Sequence, residues 1–185
     1  MSLLLTRRSA KARDMVAPGP DEAALCRMLT AAARVPDHGK LAPWRFVVIP
    51  DAERAAFADA IEAAYVAEKS DAGRIERTAM RDFALQAPTL VIVLHRPDAD
   101  SHIPLVEQER SAAAAAMTFA HAAHAEGFAC CWLTGWAAYS PAVTALVGEA
   151  GDSIVGFMFV GTPGRPVEER PRPALGEIVR VWRAT

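Results

Sequence analysis

Residues Thr89–His95 read TLVIVLH, an apolar run without alternation until its closing histidine. A strand with one wet face would alternate polar and apolar residues, so this run predicts a central strand buried on both faces. A sheet covered on both sides needs helices on both sides, and the flanking sequence supplies them. Upstream, Pro88 stops a helix predicted over Arg74–Leu85 (RIERTAMRDFAL), and Gly73 separates it from a longer one over Asp51–Lys69. In that longer helix Phe57, Ile61, Ala64 and Tyr65 share a face. WRFVVI, at Trp44–Ile49, reads as a strand closed by Pro50. Before it, Leu25, Met28, Leu29 and Ala32 recur at helical spacing between Asp21 and Arg34, with acids in the first turn and Pro36 as the stop.

Downstream of the central run, Arg96–Pro104 is a polar loop. A long alanine-rich helix is predicted from about Val106 to Glu126, with Gly127 as its C-cap. Its small side chains allow another backbone to approach closely. FACCWLT is a third strand ended by Gly135. SPAVTALVG is a short helix with Ser140 as N-cap and Pro141 at its first position. SIVGFMFVG is a fourth strand. The order predicts an α+β or α/β layered sheet with helices packed on it. The tail, TPGRPVEERPRPALGEIVRVWRAT, carries Ile178, Val179, Val181 and Trp182. Two readings fit it, an edge strand on its own sheet or a strand laid on a partner subunit.

The chain has 185 residues, a formal net charge of −2 and 52% hydrophobic residues, which fits a single domain over 1–185 with a sizeable core. That balance argues against nucleic acid as the main partner, because a phosphate-tracking surface carries a basic excess. No run approaches membrane-spanning length. MSLLLTRRSAKAR places its brief apolar run ahead of its charges, the reverse of a secretory signal. Cys26, Cys130 and Cys131 make a poor disulfide framework, which points to a reducing cytoplasm.

Three clusters could carry chemistry. In TRRSAKAR, Arg7 and Arg8 offer planar forks suited to a phosphate and Ser9 adds a hydroxyl; the alternative is a solvated arm. In RVPDHGKLAPWRF, at Arg34–Phe46, Pro36, Gly39 and Pro43 stiffen a loop that presents His38 and Lys40, as a binding loop requires. Arg34 there could also serve the helix dipole, and Trp44 could be core or a flat wall for an aromatic ligand. In CCWLTGW, at Cys130–Trp136, a buried strand ends in threonine and glycine, where backbone N–H groups could meet a planar heterocycle. The alternative is a plain core strand. The two thiols have no adjacent cation and read as neutral and inert. His121 and His124 lie three apart on a helix, but no third ligand follows from the sequence, so no metal site is expected.

These clusters, in this order, together with AEGFACCWLTG and IVGFMFVGTP, resemble the flavin-dependent nitroreductase family, most closely its small minimal branch. The likeness runs from Leu3 to about Pro163. It implies an α+β fold with a central mixed sheet wrapped by helices. It also implies a homodimer with FMN at the subunit interface and a C-terminal segment that exchanges between subunits. Arg7, Arg8 and Ser9 match positions that hold the FMN phosphate and ribityl chain, and Lys11 matches a lysine near the polar edge of the ring. Arg34 and His38 match flavin contacts that reach across the interface. Trp132, Leu133 and Thr134 match a further contact strip, in which relatives often carry arginine and serine where this chain has Leu133 and Thr134. Ala122, Ala123, His124, Ala125, Glu126 and Gly127 match a stretch linked to the nicotinamide nucleotide, although a helix interior explains them equally well.

The resemblance implies hydride transfer from NADH or NADPH, through N5 of the flavin, to an electron-poor acceptor such as a nitroaromatic or a quinone. The catalysis would lie on the flavin, with no catalytic side chain of the protein's own. Other readings stay open: dehalogenation or flavin fragmentation on the same fold, a flavin-storage module with little turnover, or an unrelated structural dimer whose cationic loop is solvated.

Overall fold

The computed structural model describes residues 1–184; Thr185, the last residue of the predicted 1–185 domain, lies outside the described residues. In chain order the elements are α1 (Ser2–Thr6), β1 (Met15–Val16), α2 (Glu22–Ala32), β2 (Trp44–Ile49), α3 (Arg54–Glu68) and α4 (Arg74–Leu85). They continue with β3 (Thr89–His95), α5 (Leu105–Ala125), β4 (Ala129–Leu133), α6 (Pro141–Val147), β5 (Ser153–Pro163) and α7 (Leu175–Ile178). The TLVIVLH run is β3, and Leu90 to His95 are all buried, as its lack of alternation predicts. It pairs with β2 on one side and β5 on the other, while β5 also pairs with β4 and, at its C-terminal end, with β1. Each of these pairings is antiparallel. The fold is thus α+β as expected, but within the described residues the sheet is antiparallel and not the mixed one the resemblance implies.

The pleat of β3 sorts the core. Leu90, Ile92 and Leu94 join Phe157 and Phe159 of β5 against Phe57, Ala58 and Ile61 of α3, Ala84 of α4 and Val143 of α6. Val91 and Val93 face the other way, with Met158, Val160 and Cys130, against Met28 of α2 and Ala116, Phe119, Ala120 and Ala123 of α5. One face of the alanine-rich helix is therefore spent on its own sheet, where small side chains let α5 lie close.

Several expectations shift. α2 ends before Arg34, because Pro36 drives the residue ahead of it out of the α region. α1 and β1 were not foreseen; α1 has only five residues, too few for periodicity to register. The tail forms no strand among the described residues. It runs irregularly around the short α7, and Trp182 is 85% exposed. Val167 packs on the core, but Leu175, Ile178, Val179, Val181 and Trp182 stay exposed, so the edge-strand reading fails within one subunit.

Candidate functional site

α1 closes at Arg7, whose N–H donates to the Leu3 carbonyl at 2.9 Å and whose backbone is extended. The chain beyond is no solvated arm. Ala10 and Ala12 are buried in the core, so the arm is nailed to the domain at alternate residues. Arg7 is half-buried, and its Nε is fully buried with no hydrogen-bond partner. Its charge reaches His121, whose imidazolium is disfavoured first by burial and then by Arg7. Arg8 folds back on the end of α1, donating from Nη1 to the carbonyls of Thr6 and Arg7, and pairs through Nη2 with Glu169 of the tail. Ser9 and Lys11 line a cavity of about 390 Å³ whose far wall is the tail segment Arg165–Pro171.

His124, near the end of α5, fastens this arm. Its Nε2 lies 2.8 Å from the Arg8 carbonyl oxygen and its Nδ1 lies 2.7 Å from that of Ala120. The rest of the stretch Ala122–Gly127 serves the helix end. Ala123 is fully buried, and Glu126 accepts from Arg27 of α2 at 2.9 and 2.6 Å. Gly127, at φ 88°, reverses the chain so that Phe128 N–H reaches the Ala123 carbonyl at 2.9 Å. Ala125 and Gly127 are its exposed members.

The loop Arg34–Ala42 is built by residues that sequence reasoning passed over. The Asp37 carboxylate accepts from the backbone N–H groups of Leu41 (3.0 Å) and Ala42 (3.0 Å), which holds Gly39, Lys40 and Ala42 at φ 74°, 57° and 47°. Left-handed backbone at two non-glycine residues costs energy that the surroundings must offset, and such strain gathers at binding sites. α5 provides the support. Ser111 donates to the Pro36 carbonyl, and Glu107 Oε2 holds His38 Nδ1 at 2.8 Å. His38 and Arg34 are exposed, and the Arg34 side chain makes no ion pair among the described residues. Trp44 is core, packed on Ala112 and Ala115. The aspartate beside a Pro and two residues before a Gly was the signal for this loop's geometry.

In β4, Trp132 donates from Nε1 to the Val155 carbonyl at 3.1 Å and packs closely against Gly156. A Cβ on Gly156 would stand 2.0 Å from that nitrogen. Leu133 packs on the opposite face, and half-buried Thr134 precedes Gly135 at φ 67°. Burial pushes the Cys130 thiol well above the ordinary cysteine range and raises that of Cys131, so neither is a thiolate at neutral pH. No group of three or more metal-ligating side chains gathers among the described residues, and no described helix is long and apolar enough to cross a membrane.

The structure brings Arg7, Arg8, Ser9 and Lys11 together with His124 at one end of α5. It sets Arg34 and His38 at the other, since Glu107 and His124 stand about 25 Å apart along the axis of this 21-residue helix. A ligand whose phosphate lies at Arg7 cannot place an adjoining ring against His38 of the same chain.

A layered α+β fold with a basic arm at one end of its central helix and a strained, histidine-bearing loop at the other defines a class that the comparisons resolve further. The Nitroreductase family matches residues 4–162. The protein "Putative NAD(P)H nitroreductase YdjA" of Escherichia coli (strain K12) is 35% identical over 164 residues, covering 88% of this chain and 87% of that protein. A nitroreductase-like family protein from Bacillus cereus has the same fold, at TM-score 0.84 and 21% identity over 98% of this chain and 94% of that one. So does a "putative nitroreductase in complex with fmn" from Desulfovibrio desulfuricans, at TM-score 0.73 and 22% identity over 100% and 96%. The chain belongs to the nitroreductase family.

Proposed function

We propose that the protein is an FMN-dependent oxidoreductase that takes hydride from NADH or NADPH and delivers it to an electron-poor small molecule, such as a nitroaromatic or a quinone. It works as a homodimer with the flavin at the subunit interface. The family match and the curated relative support the oxidoreductase class. One observation carries the cofactor reading: the buried Arg7 Nε has no partner. Leaving a buried charged donor unpaired is costly, and a phosphate oxygen would satisfy it. Arg8 beside it can fork onto the same phosphate once Glu169 yields, and the Ser9 hydroxyl adds a neutral donor. The group therefore fits the residues present.

When bound, FMN supplies the two-electron chemistry that the side chains cannot, taking hydride from the nicotinamide and passing it to the acceptor. The chain's own residues bind and orient. Arg7, Arg8 and Ser9 neutralise and fix the phosphate. Lys11, exposed at the cavity rim, is a cation for the polar edge of the ring, where it favours the negative charge that reduction brings. Trp132, Leu133 and Thr134 offer a flat side chain and backbone donors. His38 of the partner subunit and Arg34 of the partner subunit complete the polar rim. Three observations support this composite arrangement. The arm and the loop lie about 25 Å apart along α5 within one chain. Ala113, Ala114, Met117 and Thr118 leave a half-exposed stripe of mostly small residues on α5, suited to a second copy of that helix. Leu175, Ile178, Val181 and Trp182 stay 63–85% exposed on an unsupported tail, as a segment that exchanges onto the partner would.

The test is purification and anaerobic titration. The protein should be yellow with a flavin spectrum, bleach with NADH or NADPH, and recover its colour on adding a nitroaromatic or a quinone. A colourless preparation that does not bind added FMN would overturn the reading.

A further inference from the structure

His124 presents both ring nitrogens to carbonyl oxygens, at 2.7 Å to Ala120 and 2.8 Å to Arg8. Carbonyls only accept, and a neutral imidazole carries a single N–H. One of these contacts would then set a nitrogen lone pair against an oxygen lone pair at hydrogen-bond distance. Two donors exist only in the imidazolium, which makes both contacts charge-assisted. We infer that His124 is the positioning residue of the anion-binding arm: as an imidazolium it bridges the Arg8 and Ala120 carbonyls and holds the Arg7–Ser9 segment in the conformation that grips a phosphate. Its effect on FMN rests on the flavin reading above, whereas the ring geometry does not.

The charges facing His124 explain why the bridge and the phosphate belong together. The arm contributes Arg7 and Arg8. α5 contributes His121, itself driven toward neutrality by burial and by Arg7. Glu126 is taken up by Arg27 of α2, Glu169 of the tail is paired with Arg8, and the Cys130 thiol of β4 is neutral. The carbonyl end of α5 favours a cation at His124, but the cluster holds more positive than negative charge until an anion arrives. A phosphate dianion relieves that excess. A ring with a single N–H would leave one of the two carbonyls facing a lone pair and would loosen the arm.

Two measurements test this. In wild-type protein at about pH 6, NMR should show both ring N–H protons of His124 as slowly exchanging signals, assigned by through-bond correlation to the His124 ring in isotope-labelled protein. One protected ring N–H, or none, would overturn the inference, and this readout needs neither flavin nor a well-folded variant. In parallel, the FMN dissociation constant is measured for wild type and for His124→Gln. His124→Gln should bind about tenfold more weakly than wild type. Equal affinity would mean that His124 does not position the arm. If wild type binds no FMN, the flavin reading falls and the NMR result alone decides the role of His124.

Discussion

Arg7 is half-buried with an unpartnered Nε, and that makes its proposed role testable. Its Nε is sealed from water without a partner, so the energy of pairing it becomes available to an anion. Arg7→Ala should weaken FMN binding by about 1.5–3 kcal/mol, the worth of one charge-assisted hydrogen bond. An unchanged dissociation constant would remove Arg7 from the phosphate site. The cysteines give a second check. Burial holds the Cys130 and Cys131 thiols protonated, while Cys26 is exposed. A thiol reagent at neutral pH should label Cys26 in the native protein and all three cysteines only after denaturation; prompt labelling of Cys130 or Cys131 would show that the strand is open. At this scale the sequence singled out the residues proposed for the site but not what holds them in place. Arginines next to a serine are candidate anion ligands by their chemistry, and charge clustering alone leaves a solvated arm equally open. The bridge from His124 to Arg8 spans 116 positions and the pair between His38 and Glu107 spans 69, so no local pattern announces either.

Among the elements, α3 and α4 are joined by surface ion pairs and by one buried side chain. Arg54, 5% exposed, donates from Nε and Nη2 to the Ala84 carbonyl at the end of α4 and reaches the Gln86 carbonyl at 2.7 Å. It satisfies acceptors that a helix end otherwise leaves open. Arg54→Met keeps much of the apolar stem and orphans those carbonyls, so it should lower unfolding stability by about 2–3 kcal/mol in a denaturant titration. A loss below about 0.5 kcal/mol would indicate that water replaces the guanidinium freely. The regular elements were readable because their signals are local. The runs predicted for β2, α4 and β3 match the observed bounds, each delimited by a proline or a glycine. Ser140 caps α6 as expected, accepting from the Val143 N–H. The tail was not readable in the same way, because its apolar residues from Leu175 to Trp182 stay exposed and no periodicity or packing on this chain fixes their conformation. The loop at Gly39–Ala42 needed the Asp37 carboxylate to hold its left-handed turns, a tertiary feature seen in sequence only as an aspartate near a glycine.

For the whole molecule, the length of α5 is the decisive dimension. It buries one side in its own sheet and separates the basic arm from the histidine loop by more than an adjoining ring and phosphate can bridge. The half-exposed stripe on α5 and the exposed tail are the surfaces that the proposed dimer would cover. Subunit mixing tests this most directly. Arg7→Ala and His38→Ala proteins, each defective in FMN binding, are combined under conditions that exchange subunits, and high-affinity FMN sites are counted. If each flavin sits between the arm of one subunit and the loop of the other, every mixed dimer holds one fully wild-type site, and about a quarter of all sites should recover. If mixed dimers form and no tight sites appear, arm and loop do not serve the same flavin across an interface.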